Sequence, residues 1–444
     1  MLGAFIVVTS LFFAWGLITS LIDPLVTAVK GIFSLSDVEA QLSASAFFIA
    51  YGVMSFPAAV LLSRRKAVPT VMIALATMVA GCLLMLGAAN IAVYGLVLFG
   101  LFVLASGITI LQVAANPLAA ALGAPERSHF RLTLSQTFNS FGTFIGPYVG
   151  AVLFLNNVEV KPGAAISAEA RAGSLAGIDL AFFWFAGMIL LLALFIWVSR
   201  RVITNAAPEA PSETARRGIR ATVRDATSSR WAVLGGAAIF LYVGAEVAIG
   251  TQMAFFLHSD AVWGASDAPF SVPFLGWVMG SDGVPGVSIQ EAAKAVPFYW
   301  GGAMVGRLIG SLLLTSVRAS RLLALFTAIT VLMCLYVFLV GGVSAGFVAL
   351  AIGLFNSIMF PVIFTLTLER STASEEATSG FLCFSIVGGA AIPPLAGLVS
   401  GATSYGTAFI VPALCYALLC AFALAAGRAR AQGAEPKVPR AAVH

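Results

Sequence analysis

Apolar residues run through this chain in long stretches that contain no Asp, Glu, Lys or Arg. Stretch 67–125 has 59 residues of this kind, 322–368 has 47 and 377–427 has 51. A membrane-spanning helix needs roughly 20 apolar residues, so each stretch has room for two helices. Segments 132–158 and 180–199 have room for one helix each. The pattern therefore predicts eight spanning helices.

Four further apolar segments carry a charge or lie close to charged ends. They are 4–28 with Asp23, 41–62, 231–257 with Glu246, and 293–315 with Arg307. Counting them gives twelve predicted helices and an all-α membrane protein. The composition agrees, because 60% of the residues are hydrophobic and only 10% are charged, against about a quarter charged in soluble domains.

Basic residues predict the orientation of these helices. Nineteen of the 24 Lys and Arg residues fall in alternate loops, in segment 200–230 and in the tail. Because positive residues stay on the cytoplasmic side, both termini and 200–230 are predicted to be cytoplasmic, in a bacterial inner membrane. The polar insertion 258–292 is predicted to lie outside. Topology explains the net charge of +5, and no aromatic-interleaved basic motif indicates nucleic-acid binding.

Other features narrow the class of protein. The opening residues lack a basic n-region and a small-residue cleavage site, so the first apolar segment is predicted to be a retained helix. The five cysteines lie in apolar segments without CxxC spacing, which predicts neither a disulfide framework nor a metal site. His129, His258 and His444 have no catalytic or metal-binding context. We expect no enzyme activity, no metal and no cofactor.

An internal repeat predicts two bundles of six helices. Gln112 lies five residues before Pro117, as Asn356 lies five before Pro361. In helices five and eleven, the residues with matching spacing are Phe138, Gly142 and Pro147 and, correspondingly, Phe384, Gly388 and Pro393. Repeated bundles of this kind enclose a cavity near the membrane midplane and expose it alternately. Proline and glycine are expected to break or bend helices four, five, ten and eleven. The predicted divisions are bundle 1–199, linker 200–230, bundle 231–427 and tail 428–444.

Polar residues at membrane depth are the candidate site. Asp23 and Glu246 could bind a proton or Na⁺ as access alternates; Asp23 could instead be interfacial and Glu246 a structural partner of a basic group. Amides offer both donors and acceptors to a hydroxylated ligand, and aromatic rings could stack on a sugar or simply pack. The candidate substrate contacts, with Glu246, are Gln112, Gln136, Asn139, Asn356, Trp15, Trp300 and Phe360. Asn116 could satisfy the backbone at Pro117, and Arg307 is expected to be structural or gating.

Several strings resemble the fucose/glucose/galactose:cation symporter family of the major facilitator superfamily. The most specific are VLASGITILQVAANP and FRLTLSQTFNSFGTFIGP, with FFAWGLITSLIDPL, LYVGAEVAIG, FNSIMFP and IVGGAAIPPLAG beside them. The resemblance covers nearly the whole chain. It implies the major facilitator fold, with twelve transmembrane helices in two six-helix bundles, and sugar uptake driven by a cation gradient.

The resemblance also assigns residues. It implies that Asp23 matches a carboxylate important for coupling, and it keeps Gln136 and Asn139 as sugar contacts. The fucose branch has glutamate where this chain has Gln112 and glutamine where it has Glu246, so the glucose/galactose branch is favoured. Ser63 stands where the superfamily commonly has aspartate, and no gating contact is inferred there.

We therefore predict a monomeric importer of a hexose such as glucose or galactose, coupled to a cation with H⁺ favoured and surrounded by membrane lipid. The alternatives are a fucose or amino-sugar symporter, a Na⁺-coupled sugar transporter, an exporter of amphipathic compounds and a sugar receptor that does not transport. An exporter would be expected to have a more apolar cavity with fewer amides.

Overall fold

Six long helices form the N-terminal half of the protein. The computed structural model describes residues 1–20, 25, 33, 37–91, 93–154, 168–207, 218–281, 283 and 285–429. Every regular element within these residues is a helix. The helices of this half are α1 (Leu2–Ser20), α2 (Asp37–Arg65), α3 (Ala67–Ile91), α4 (Tyr94–Ala121), α5 (Ser128–Phe154) and α6 (Ala168–Ala206).

A short helix, α7 (Ile219–Ser228), precedes the C-terminal half. Two apolar segments of this half are each built from two consecutive helices, α12 with α13 and α14 with α15. The elements are α8 (Arg230–His258), α9 (Pro273–Met279), α10 (Ile289–Leu313), α11 (Ala319–Leu339), α12 (Gly342–Asn356), α13 (Met359–Leu368), α14 (Glu375–Phe384), α15 (Gly388–Ala402), α16 (Tyr405–Ala408) and α17 (Ile410–Arg428).

The helices match the predicted spans. Ten helical segments among the described residues are long and apolar enough to cross a membrane. Two more helices, α5 and α10, have 27 and 25 residues and lie where the other two spans are predicted. Large apolar side chains project outward from the helices; Leu191 of α6, for example, is 70% exposed. A surface of this kind suits contact with lipid tails, and the predicted all-α membrane architecture is confirmed.

The proline-containing helices behave in two ways. Helices four and five, which are α4 and α5, run without a break. Helix ten is interrupted after Asn356, and helix eleven is interrupted by a 3₁₀ turn at Ser385–Val387. Pro361 is the third residue of α13, where the missing N–H has no intrahelical partner to lose. The carbonyl four residues earlier, that of Ser357, therefore has no proline N–H to accept from and instead accepts a hydrogen bond from Arg307 Nε at 2.9 Å.

Close backbone contact holds one helix pair together in each half. A Cβ atom on Gly142 of α5 would overlap the Phe13 carbonyl oxygen of α1. A Cβ atom on Gly388 of α15 would likewise overlap the Phe240 carbonyl oxygen of α8. Both glycines belong to the predicted repeat. The repeated glycines therefore mark the same close approach in both halves.

The two halves pack along two helix pairs, α5 with α10 and α2 with α14. At the end of the molecule where α7 lies, here called the linker side, several contacts join the halves. Ser379 Oγ of α14 donates to the Val113 carbonyl of α4 at 2.8 Å. Gly380 lies against Ala59 of α2 so closely that an added Cβ would come within 2.6 Å of the alanine Cβ.

An ion pair completes these linker-side contacts. His129 Nε2 of α5 lies 3.0 Å from Glu369 Oε1 at the end of α13, and His129 Nδ1 hydrogen-bonds Thr365. Arg370 Nη1 lies 3.1 Å from the other Glu369 oxygen. Burial raises the pKa of the Glu369 carboxyl, but the His129 hydrogen bond and the charges of His129 and Arg370 outweigh it and hold the pKa below its usual range. The pair therefore closes the linker side with an ionised carboxylate.

The helix α7 lies across both halves on this side, packing on α2 and α14. Asp225 Oδ2 of α7 accepts hydrogen bonds from the Ser374 amide at 3.2 Å and the Ser374 hydroxyl at 2.8 Å. Ser374 is the N-cap of α14. Ser63, where the superfamily commonly has aspartate, donates to the Val60 carbonyl of its own helix.

Candidate functional site

A cavity of about 150 Å³ lies between the two halves, among helices that both halves contribute. It is smaller than the ~300–1,000 Å³ typical of pockets for drug-sized ligands, which suits a small solute. The cavity joins the predicted residues Trp15, Gln112, Gln136, Asn139, Glu246 and Phe360 with Thr19, Tyr51, Thr143, Tyr242, Val243, Arg307 and Ile386.

The N-terminal half supplies amides whose positions are set by neighbouring helices. Gln112 Nε2 of α4 donates to the Tyr51 hydroxyl of α2 at 2.6 Å. Gln136 Nε2 of α5 donates to Asn116 Oδ1 of α4 at 3.3 Å. Asn139 Nδ2 donates to the Phe12 carbonyl of α1 at 3.1 Å. Within the described residues, the side-chain oxygens of Gln112, Gln136 and Asn139 accept no hydrogen bond.

The C-terminal half supplies an ion pair. Glu246 Oε1 of α8 accepts a hydrogen bond from the Tyr242 hydroxyl at 2.6 Å, one helical turn away. Arg307 Nη2 of α10 lies 3.5 Å from the same oxygen. Among the described lining residues, Glu246 and Arg307 are the acidic and basic members, so their formal charges cancel. A neutral ligand fits such a lining better than an ionic one.

Aromatic side chains close parts of the cavity wall. The Trp15 ring of α1 is buried and packs on Phe12 at 4.2 Å between ring centroids. Phe360 of α13 lies 6.5 Å from the Tyr242 ring. Trp15 and Phe360 come from opposite halves. The two rings thus offer apolar faces on both sides of the cavity.

Two predicted residues lie behind the cavity wall. Asn356 is fully buried, and its Nδ2 donates to the hydroxyls of Tyr299 at 2.7 Å and Tyr416 at 3.3 Å. The Tyr299 hydroxyl donates onward to the Glu246 backbone carbonyl at 3.1 Å. Trp300 packs on the Tyr299 ring at 5.0 Å between centroids. In this arrangement Asn356 and Trp300 support the Glu246 backbone. Asp23 lies outside the described residues.

Two tyrosines of the cavity were not among the predicted residues, and Arg307 was predicted with a different role. Tyr242 had a signal, because it precedes Glu246 by four residues and therefore shares its helix face. Tyr51 had none, since a tyrosine inside an apolar segment is ordinarily a packing residue. Arg307 was expected to be structural or gating, and the structure places its guanidinium in the cavity lining.

The comparisons with known proteins agree with this architecture. The sequence model of the Major Facilitator Superfamily matches residues 4–379. The chain belongs to this superfamily. Similar solved structures include a single-residue variant of the Escherichia coli fucose:proton symporter FucP, with a TM-score of 0.78 and 26% identity, covering 96% of this chain and 98% of FucP. FucP in the outward conformation gives a TM-score of 0.77 at 28% identity, covering 96% and 99%.

Curated relatives narrow the family further. The "Glucose/galactose transporter" of Brucella abortus is 37% identical over 416 residues, covering 94% of this chain and 92% of the relative. The "Putative glucose/galactose transporter" of Helicobacter pylori is 34% identical, covering 94% and 95%. The "L-fucose-proton symporter" of Escherichia coli is 30% identical, covering 94% and 92%. The predicted family, with its glucose/galactose branch, and the predicted major facilitator fold are confirmed.

Proposed function

We propose that this protein is a symporter that imports a hexose such as glucose or galactose together with a cation, with H⁺ favoured over Na⁺. The observation that carries the proposal is the cavity between the halves, which is lined by three amides and by an ion pair whose formal charges cancel. The names of the curated glucose/galactose transporters and fucose-proton symporters support both the sugar and the proton.

We propose roles for the cavity residues from their chemistry. Gln112, Gln136 and Asn139 would hydrogen-bond sugar hydroxyls, because all three line the cavity and an amide offers both donors and an acceptor. Trp15 and Phe360 would pack on the apolar faces of the ring. These five residues come from both halves, so a bound sugar would contact both halves at once.

The coupling carboxylates are proposed on different grounds. Asp23 is proposed from the resemblance in helix one, and Glu246 from its place in the cavity beside Arg307. A carboxylate with a nearby guanidinium and a tyrosine hydroxyl can exchange a proton or accept a sugar hydroxyl. Asn356 and Trp300, proposed as sugar contacts from the sequence, would act here through Tyr299.

The remaining assignments are proposals of the same kind. We propose a monomer in a bacterial inner membrane, with bundles 1–199 and 231–427, linker 200–230 and tail 428–444, and with both termini cytoplasmic. The basic residues of alternate loops support the orientation. Labelling of single cysteines at Arg65 and at Trp277 with an impermeant maleimide in intact cells would test it. Protection of position 65 and labelling of position 277 are expected.

Uptake into proteoliposomes tests the function. Labelled glucose, galactose and fucose would be offered with a pH gradient or a Na⁺ gradient imposed separately. We expect hexose accumulation under the pH gradient that a protonophore abolishes. Accumulation under the Na⁺ gradient alone would reject H⁺ coupling, fucose preference would reject the glucose/galactose assignment, and binding without any flux would indicate a receptor.

A substitution separates coupling from binding. Asp23→Asn should keep sugar exchange across the membrane while losing accumulation above the external concentration, because exchange needs no net proton movement. Asp260→Asn in the outer insertion is a matched control with an acidic side chain away from the cavity. Unchanged accumulation in Asp23→Asn would remove Asp23 from the coupling role.

A further inference from the structure

Arg307 is a buried cation in the middle of a predicted span, and its guanidinium contacts three separate elements. Nη2 lies 3.5 Å from Glu246 Oε1 of α8. Nε donates to the Ser357 carbonyl at 2.9 Å, and Nη1 donates to Ser140 Oγ of α5. The first two contacts lie within the C-terminal half, and the third crosses to the N-terminal half. One side chain therefore joins the cavity carboxylate to the interface between the halves.

The contact with Ser357 has a structural origin. Ser357 lies at the interruption between α12 and α13, where the helical hydrogen-bond pattern stops. Its carbonyl accepts a hydrogen bond from Arg307 instead of one from the helix backbone. Charged groups at membrane depth are expensive, and they persist where partners satisfy them. This contact fixes the base of the guanidinium, so its two terminal nitrogens face Glu246 and Ser140.

The contact with Ser140 reaches the other half through a hydroxyl. Ser140 Oγ donates its own proton to the Gln136 carbonyl at 3.0 Å. Its lone pairs are then available to accept from Arg307 Nη1. Gln136 lines the cavity, so the chain of contacts begins at Glu246 and ends in the helix segment that carries a cavity amide.

We propose that Arg307 is a positioning residue that makes the contact between the two halves depend on the charge of Glu246. An ionised Glu246 attracts the guanidinium and shares it with Ser140. When Glu246 binds a proton, or when a sugar hydroxyl occupies its oxygen, that attraction falls and the guanidinium is held by Ser140 and Ser357. Loading of the cavity would in this way tighten the contact across the halves. The inference rests on the proposed function, because it assumes that Glu246 is loaded during transport.

A double-substitution cycle tests the pairing without any substrate. Glu246→Gln and Arg307→Gln each leave one buried charge without its partner, whereas the double variant leaves none. We expect each single variant to lower the thermal midpoint of the purified protein and the double variant to recover most of the loss. Arg318→Gln, an exposed arginine on the linker side, is the control. If the thermal midpoint of the double variant falls by the sum of the two single decreases, Glu246 and Arg307 do not act as a pair and the inference is overturned.

Transport measurements test transmission across the interface. Arg307→Lys keeps the positive charge but replaces the two separate nitrogens that donate to Ser140 and Ser357 with a single ammonium nitrogen. We expect Ser140→Ala to retain sugar exchange, and both variants to lose about tenfold in gradient-driven accumulation, a loss that Ser106→Ala should not show. The Ser106 hydroxyl is also buried but donates only within its own helix, to Phe102. Equal accumulation by Ser140→Ala and Ser106→Ala would overturn the inference.

A pH profile distinguishes positioning from simple support of the fold. Sugar binding by Arg307→Gln should follow a different pH dependence from the wild type, since the carboxylate of Glu246 has lost its cation; Arg318→Gln should keep the wild-type profile. An identical profile for Arg307→Gln would reject the positioning role. If the wild type takes up no hexose at all, the proposed function fails, and the double-substitution cycle still decides whether Arg307 and Glu246 act as a pair.

Discussion

Replacing Gly380 with alanine should open the linker side of the protein. The added Cβ would lie 2.6 Å from the Ala59 Cβ and 3.1 Å from the Ser55 carbonyl oxygen, both on α2 of the other half. Ordinary van der Waals contact begins at 3.4 Å, so α2 and α14 must separate by about 0.8 Å at this point, the difference between 3.4 and 2.6 Å. Overpacking of this size typically costs about 1–3 kcal/mol.

The cost falls on one conformation only. In a conformation with the linker side open, α2 and α14 would be apart, so the added Cβ would be accommodated there without strain. A penalty of about 1–3 kcal/mol on the closed state shifts the equilibrium by about 5- to 150-fold toward the open state. Gly187→Ala of α6 is the matched control, because no heavy atom lies within 4 Å of its added Cβ.

Spin labels measure the shift directly. Cysteines replacing Arg65 and Arg318, both exposed on the linker side of opposite halves, would carry the labels in a background without native cysteines. Double electron–electron resonance should show a longer distance in Gly380→Ala and an unchanged distribution in Gly187→Ala. If Gly380→Ala keeps the short distance while remaining folded, the contact between α2 and α14 does not control the closed state.

Three further predictions follow from side-chain contacts. Glu369 has a lowered pKa, so its ionised form stabilises the protein above the unfolded pKa near 4.3, and this stabilisation is lost as pH falls through the lowered pKa. The thermal midpoint of the wild type should therefore fall more steeply below pH ~4.5 than that of Glu369→Gln, and parallel curves would contradict the prediction. Asn356→Ala should lower the free energy of unfolding by about 1–3 kcal/mol through the lost hydrogen bonds to Tyr299 and Tyr416. Its sugar affinity should change less than that of Gln136→Ala, and a larger loss of affinity in binding titrations would make Asn356 a direct sugar contact. Gln112→Glu places a second carboxylate in the cavity, so proton-driven uptake should depend more steeply on pH, and an unchanged profile would show that position 112 does not titrate.

The fold could be predicted from the sequence because its causes are local and strong. Lipid excludes charges from stretches such as 67–125, and the basic residues collect in alternate loops. The internal repeat predicted two six-helix bundles, and Gly142 and Gly388 of that repeat mark equivalent close approaches in the two halves. Each of these signals depends only on residue type and position along the chain.

The site could be predicted less completely because it depends on how each helix is rotated about its axis. A helix that is apolar all round carries no stripe to indicate which face meets the cavity. Gln112, Gln136 and Asn139 reach the cavity, whereas Asn356, on the helix that matches Gln112 in the repeat, is turned toward Tyr299 and Tyr416. Asn356 is also the last residue before the interruption of its helix, and the shared five-residue spacing to proline does not report which face of the helix the amide occupies.

The missing space at Gly142 and Gly388 has a mechanical consequence. Two helices in direct backbone contact are expected to move together as one rigid body. The pair α1 and α5 would form one such body, and the pair α8 and α15 would form the other, with the cavity between them. Trp15 and Asn139 belong to the first helix pair, and Glu246 belongs to the second. When either helix pair moves, its cavity side chains are expected to move together. The cavity would then change shape because the two helix pairs tilt relative to each other, and each pair would keep its internal geometry.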